Sequence, residues 1–180
     1  MDIRQFDFSD KDNFCEKDNQ AAPLTALTAL LQEHLADMHA NSPPGSVHAL
    51  NLERLQGPDI RLFTLWLKGD AASGKDADVK NMGEVLAACG AIKQLSETEA
   101  ELKSMRCANQ FRGRGLGKAV LRHLLEDARR RGIRRLYLET GSVDFFLPAQ
   151  GLYLAHGFEF CGPFGDYSDD PFSRFMTKAI

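Results

Sequence analysis

The chain has 180 residues and a mass of 20.0 kDa, with 43% apolar and 26% charged residues; this suits one domain spanning 1–180 and excludes a mainly disordered chain. Its longest clean apolar run, Leu24 to Leu31, is far short of the roughly 18 residues a membrane span needs. The opening Met1 to Phe8 alternates charge with hydrophobe and lacks an export pattern, so a cytoplasmic protein with no membrane partner is expected. The net charge of −3 hides an asymmetry: residues 101–140 hold eleven Lys and Arg against four Asp and Glu, a local +7 that leaves −10 elsewhere. An anion bound by the middle segment would account for it.

In chain order, Asp2 to Phe8 reads as a strand by its period-two alternation, and the charged stretch 10–20 as a loop. Leu24, Leu27, Leu30, Leu31, Leu35 and Met38 recur at threes and fours behind Pro23, which predicts an amphipathic helix ending before Asn41. The Ser42-Pro43-Pro44-Gly45 turn follows, then room for a short helix within 47–55. Arg61 to Lys68 and Val85 to Leu95 are apolar strands; the polar divider 69–83 reads as an extended, mobile hairpin tip. Ala100 to Cys107 is a third strand, with Leu102 and Ser104 expected on the face opposite Glu101, Lys103 and Met105.

From Gly117 onward Val120, Leu121, Leu124, Leu125 and Ala128 define the strongest helix, closed by Gly132 after three arginines. Strand 133–140, helix 148–156 ending at Gly157, strand 158–161 and a last strand 173–180 complete the order. This is an α+β arrangement: a mixed, mostly antiparallel sheet with helices on its faces.

The chemistry concentrates in Arg112-Gly113-Arg114-Gly115-Leu116-Gly117-Lys118, between a strand and that helix. Backbone N–H groups at a helix start stabilise an anion, and glycines allow backbone to approach it closely, so this turn is expected to hold phosphate. A dinucleotide fingerprint fails because position 118 is Lys, and a Walker loop fails because Arg112 and Ala119 stand where Gly and Ser or Thr are needed.

The spacing Arg112, Gly115, Gly117 resembles the Arg-x-x-Gly-x-Gly signature of the GNAT superfamily of acetyl-CoA-dependent N-acetyltransferases. Upstream, Ala100 to Arg106 is similar to that family's fourth strand; downstream, Leu152-Tyr153 with Gly157-Phe158 is similar to its Leu-Tyr…Gly-Phe helix and strand. The three motifs cover about residues 85–160.

The resemblance implies a GNAT fold with a splayed central sheet, and acetyl-CoA as cosubstrate. The pyrophosphate would rest on the turn Gly113 to Lys118, including Leu116, with Arg112, Arg114 and Lys118 adding charge. The pantetheine arm would pair with the backbone of Met105, Arg106 and Cys107 like an added strand. Tyr153 matches the family's acid. Glu139 and Glu101 are both candidates for the base, with Glu139 preferred because it ends a strand where the amine should enter. His34, Met38, Asp166 and Tyr167 lie in regions that line the acceptor pocket in this family. One departure is Asp144 to Pro148, which replaces an asparagine-bearing helix start and puts a helper hydrogen bond to the cofactor in doubt.

The expected reaction is transfer of an acetyl group to a primary amine of a small molecule. The alternatives are a non-catalytic acyl-CoA-binding module and an enzyme acting on a protein or peptide amine. The basic segment lacks interleaved aromatic residues, so no nucleic-acid partner is expected. The histidines have no metal-ligand spacing, so no metal is expected. The scattered Cys15, Cys89, Cys107 and Cys161 fit free thiols in a reducing compartment, and Cys107 has no nucleophilic task in a direct transfer. The family leaves a homodimer open.

Overall fold

The computed structural model of the protein describes residues 1–15, 22–43, 45, 46, 48, 50–68 and 83–180. In chain order the elements are β1 (Asp2–Gln5), α1 (Pro23–Asn41), β2 (Ile60–Lys68), β3 (Glu84–Gln94), β4 (Glu99–Cys107), α2 (Leu116–Arg130), β5 (Arg135–Gly141), α3 (Leu147–Leu154), β6 (Glu159–Cys161) and β7 (Ser173–Ala179). The strands form one seven-stranded sheet in the order β1-β2-β3-β4-β5-β7-β6. Every neighbouring pair is antiparallel except β4 with β5, whose parallel pairing needs a crossover, supplied by α2.

The central strands β2, β3 and β4 are buried along most of their length because helices cover both faces. Met105 lies against α2 while the next residue, Arg106, reaches α1, so the two helices sit on opposite sides of β4. The apolar stripe of α2 (Val120, Leu121, Leu124, Leu125, Ala128) is buried as its spacing demands, each large side chain contributing about 1.5–3 kcal/mol. The helix closes as expected: Gly132 stands at φ +79°, and Ile133 N–H reaches back to the Ala128 carbonyl at 3.1 Å. Asp127, buried on the same helix, accepts two hydrogen bonds from Arg61 of β2 at 3.1 and 3.2 Å, fixing helix to sheet.

Two expectations are corrected. The first strand stops at Gln5 rather than Phe8, because Asp7 accepts from both the backbone N–H and the hydroxyl of Ser9 and turns the chain. In place of a helix within 47–55, the described residues there hold only a short 3-10 turn, Arg54–Gln56, with Asn51 Oδ1 accepting from Arg54 N–H at 2.9 Å. The hairpin tip expected at 69–83 lies outside the described residues apart from Gly83.

Candidate active site

The site begins where the parallel pair comes apart. β4 and β5 are in register from Glu99↔Arg135 to Leu102↔Leu138, and beyond that neither strand pairs with the other. A bulge marks the point of departure. Ala91 of β3 pairs with Lys103 and Cys89 with Arg106, so Ser104 and Met105 together oppose Gly90. Extra residues of this kind bend a strand and sharpen its twist. Ser104 carries a φ of +50°, the only positive φ on a non-glycine among the described residues. Gly90 makes room on the other side: a Cβ there would stand 2.7 Å from the Met105 sulfur and 2.9 Å from Val120 and Leu124. The bulge also overturns the simple alternation expected along β4: with two residues opposite Gly90, the period of two that holds up to Lys103 is not carried through to Arg106.

At the open end of β4 the chain makes a 3-10 turn at Asn109–Phe111 and enters α2 through Gly113 (φ +75°) and Gly115 (φ +76°). A Cβ at either glycine would meet nothing within 4 Å, so what these positions require is backbone freedom, and their surface stays open. No side chain caps α2, leaving the N–H groups of its first turn available to an anion. Arg112, Arg114 and Lys118 are exposed around this turn. Arg112 donates to Asp37 of α1 at 2.9 Å, and the Arg114 guanidinium lies 5.4 Å from the Phe111 ring centroid.

Between the parted strands lies a cavity of 520 Å³, within the usual size of a small-molecule site. One wall is the end of β4 and the glycine turn: Met105, Arg106 and Cys107, then Arg112, Gly113, Gly115, Leu116, Gly117 and Lys118. Across from it stand Glu139 of β5 and Tyr153 of α3, and α1 contributes His34 and Met38. Of the expected site residues, Glu101, Arg114, Asp166 and Tyr167 do not line it. Asp166 is exposed, whereas Tyr167 reaches the site through Lys103.

The electrostatics separate the two glutamates. Glu101 is only 2% exposed and its Oε1 is occupied, 3.1 Å from Lys103 Nζ and accepting the Tyr167 hydroxyl at 2.7 Å. Lys103 donates in turn to Tyr167 Oη at 2.6 Å and to the His48 carbonyl at 3.0 Å, so its three protons all have takers. Glu139 lines the cavity and accepts the Ser173 hydroxyl at 2.8 Å. Burial raises its pKa, against the opposing Ser173 hydrogen bond and the charges of His48 and Lys103. Tyr153 is buried, and burial together with the negative charge of Glu139 pushes its hydroxyl well above the ordinary phenol range, so it stays protonated.

The α1 wall is held by ion pairs. Arg106 donates Nη1 to Asp37 at 2.7 Å and Nη2 to Glu33 and to Asn109, the last at 3.2 Å. Burial would raise Asp37, but Arg106 and Arg112 outweigh it and hold the carboxyl below the usual range. Burial, reinforced by Arg106, lowers His34 to about 4, so its imidazole is neutral near pH 7. Burial likewise keeps the Cys107 thiol protonated by raising its pKa. Among the described residues no group of three or more His, Cys, Asp or Glu could hold a metal ion, and no helix is long and apolar enough to cross a membrane.

Sequence reasoning passed over Lys103, Ser104, His48, Gly141 and Phe146, all of which line the cavity. The alternating Glu101-x-Lys103 was a visible signal, but its partners lie 55 and 64 residues away. Around the departure at Asp144 to Pro148 the chain makes a 3-10 turn, and Gln150 of α3 donates to the Gly141 carbonyl at 2.8 Å, fixing the helix that carries Tyr153.

Comparison with known proteins agrees with this geometry. The pattern of the Acetyltransferase (GNAT) family matches residues 30–158. The chain is 44% identical over 154 residues to the uncharacterized N-acetyltransferase YsnE of Bacillus subtilis, covering 86% of this chain and 92% of that protein. It is 40% identical to the uncharacterized N-acetyltransferase YedL of Escherichia coli, covering 86% and 88%. A solved structure from Klebsiella pneumoniae, provisionally assigned as an acyl-CoA N-acyltransferase, superposes with a TM-score of 0.70 at 25% identity, over 99% of this chain and 96% of that one. The chain belongs to the GNAT family and is an N-acetyltransferase.

Proposed function

We propose that the protein, as a single domain over 1–180, transfers the acetyl group of acetyl-CoA to the primary amine of a small molecule by direct attack. The observation that carries this reading is the convergence on one cavity of an uncapped helix start, an open strand backbone, a protonated phenol and a carboxylate of raised pKa. The residues present fit the cofactor: the glycine turn has room for a pyrophosphate, and β4 beyond Leu102 offers backbone groups without a β5 partner. The turn from Gly113 to Lys118 would hold the pyrophosphate, with Arg112, Arg114 and Lys118 supplying charge. Met105, Arg106 and Cys107 would hold the pantetheine arm. Acetyl-CoA supplies an activated acetyl thioester.

Glu139 takes the proton of the incoming ammonium, directly or through water, so that the neutral nitrogen can form the new N–C bond. Tyr153 gives its proton to the sulfur as the C–S bond breaks, and the acylated nitrogen sheds its second proton to the phenolate, directly or through water, leaving a neutral amide. A carboxylate of raised pKa is the stronger base, and burial keeps the phenol in its protonated form, the form that carries a proton to give. Glu101 is left to the ion pair with Lys103, which positions Tyr167 on the acceptor side. Burial of the reacting groups and a cavity of this size favour a small acceptor over a protein surface.

The test is titration calorimetry with acetyl-CoA, desulfo-CoA and ATP, followed by thiol release with a panel of amines. Stoichiometric binding confined to the CoA compounds and amine-dependent thiol release are expected. Binding without release under any amine would leave the non-catalytic alternative standing.

A further inference from the structure

Three buried side-chain polar atoms among the described residues have no hydrogen-bond partner: His34 Nδ1, Ser104 Oγ and Arg106 Nε. All three residues line the same cavity. A buried polar atom left unpaired costs about 1–3 kcal/mol, so three together on one wall call for an account. Their chemistry is uneven. Arg106 Nε can only donate, Ser104 can donate through a freely turning hydroxyl, and His34, neutral near pH 7, suits whichever tautomer its surroundings choose. The wall therefore has a surplus of donors.

Its charge is balanced. Arg106 and Arg112 are matched by Glu33 and Asp37, and Lys103 by Glu101. A balanced wall rich in donors suits an oxygen acceptor more than a second cation.

Ser104 is the centre of this set. Its hydroxyl sits on the bulge where β4 leaves β5, and its φ of +50° is strain that a serine does not adopt freely. A turn about χ1 sweeps Oγ through its staggered positions, so the hydroxyl can follow a ligand without moving the strand. Arg106 by contrast has its terminal nitrogens fixed on Asp37 and Glu33, which holds Nε in place.

We propose that Ser104, with His34 and Arg106 Nε, forms an acceptor subsite that recognises a carbonyl or carboxylate oxygen carried on the same skeleton as the reacting amine. The substrate class is then amino acids or their amides and not unadorned alkylamines or polyamines. The inference rests on the amine-acetyltransferase reading above and narrows it.

The experiment compares kcat/KM for a set of amino acids and amino amides with that for alkylamines of matched length lacking the oxygen, in the wild type and in Ser104→Ala, with the Kd of acetyl-CoA measured in parallel. The wild type is expected to favour the oxygen-bearing acceptors by on the order of tenfold, the worth of a site whose donors would otherwise stay unpaired. Ser104→Ala should shrink that ratio several-fold, mostly through the oxygen-bearing acceptors, with the Kd of acetyl-CoA little changed. Free acid against amide then separates carboxylate from carbonyl.

Equal rates for matched alkylamines in the wild type would overturn the subsite while leaving the acetyltransferase reading intact, and they need no variant to fold. A Ser104→Ala defect confined to acetyl-CoA would also overturn it, assigning the unpaired atoms to the cofactor. Absence of thiol release with every amine, oxygen-bearing or not, would overturn the underlying reading and this inference with it.

Discussion

Ser173 of β7 donates its hydroxyl to the carboxylate of Glu139 on β5 across 2.8 Å, tying the proposed base to the neighbouring strand. The bond fixes the carboxylate's direction without cancelling the effect of burial, and Glu139 keeps a raised pKa. As a base Glu139 must be ionised, so kcat/KM should fall as pH drops through a value above the ordinary 4.5, and Glu139→Gln should abolish that limb. A pH–rate profile of the wild type beside the variant reads it.

The same residue should trade stability for activity. Its native pKa lies above the unfolded value, so the unfolded chain gives up its proton first as pH rises. Stability is then lost through the window between the two values, and the loss is complete above the native pKa. Glu139→Gln, which keeps an oxygen for Ser173, is expected to melt higher than the wild type near pH 7 and to lose that advantage below about pH 4.5. Thermal melts at the two pH values check it.

Tyr153→Phe removes one hydroxyl from a buried ring that packs against Phe158, the centroids 5.7 Å apart. The fold should survive, acetyl-CoA should still bind, and thiol release should drop by about 10²–10⁴-fold if the phenol is the acid. Calorimetry and a thiol assay on one preparation distinguish this outcome from misfolding.

His34 gives a second pH signature of opposite sign. Its native pKa of about 4 lies below the ordinary 6.5, so between those values the unfolded chain binds the extra proton and stability falls on acidification. His34→Gln is expected to flatten the stability profile between about pH 4 and 6.5. In the wild type the imidazole resonances of His34 should stay still in an NMR titration until the pH nears 4.

Gly141→Ala should cost activity through geometry. A Cβ there would fall 2.1 Å from the Phe146 ring, just ahead of the helix that carries Tyr153. Displacing that ring is expected to destabilise the protein by about 1–3 kcal/mol and to lower kcat more than acetyl-CoA affinity. Denaturant unfolding and steady-state kinetics measure the two effects.

What the sequence disclosed follows chain continuity. The strand at 99–107, the glycine turn and α2 are consecutive, so their spacing alone announced a glycine turn feeding a helix start and the crossover behind it. The other walls of the cavity are assembled across distance: Arg106 meets Glu33 73 residues away, and Glu139 meets Ser173 34 away. No local pattern encodes such pairs. The bulge at Ser104 was hidden for another reason. Period-two reading assumes one residue per partner, and nothing in Ala100 to Cys107 advertised that Gly90 faces two.

Asp37 accepts hydrogen bonds from Arg106 of β4 and from Arg112 at the glycine turn, so a single carboxylate on α1 braces both halves of the cavity. An anionic ligand that draws Arg112 toward itself loosens one arm of that brace and leaves the other gripping α1. The occupancy of one half would then be felt as a change of tension in the wall of the other.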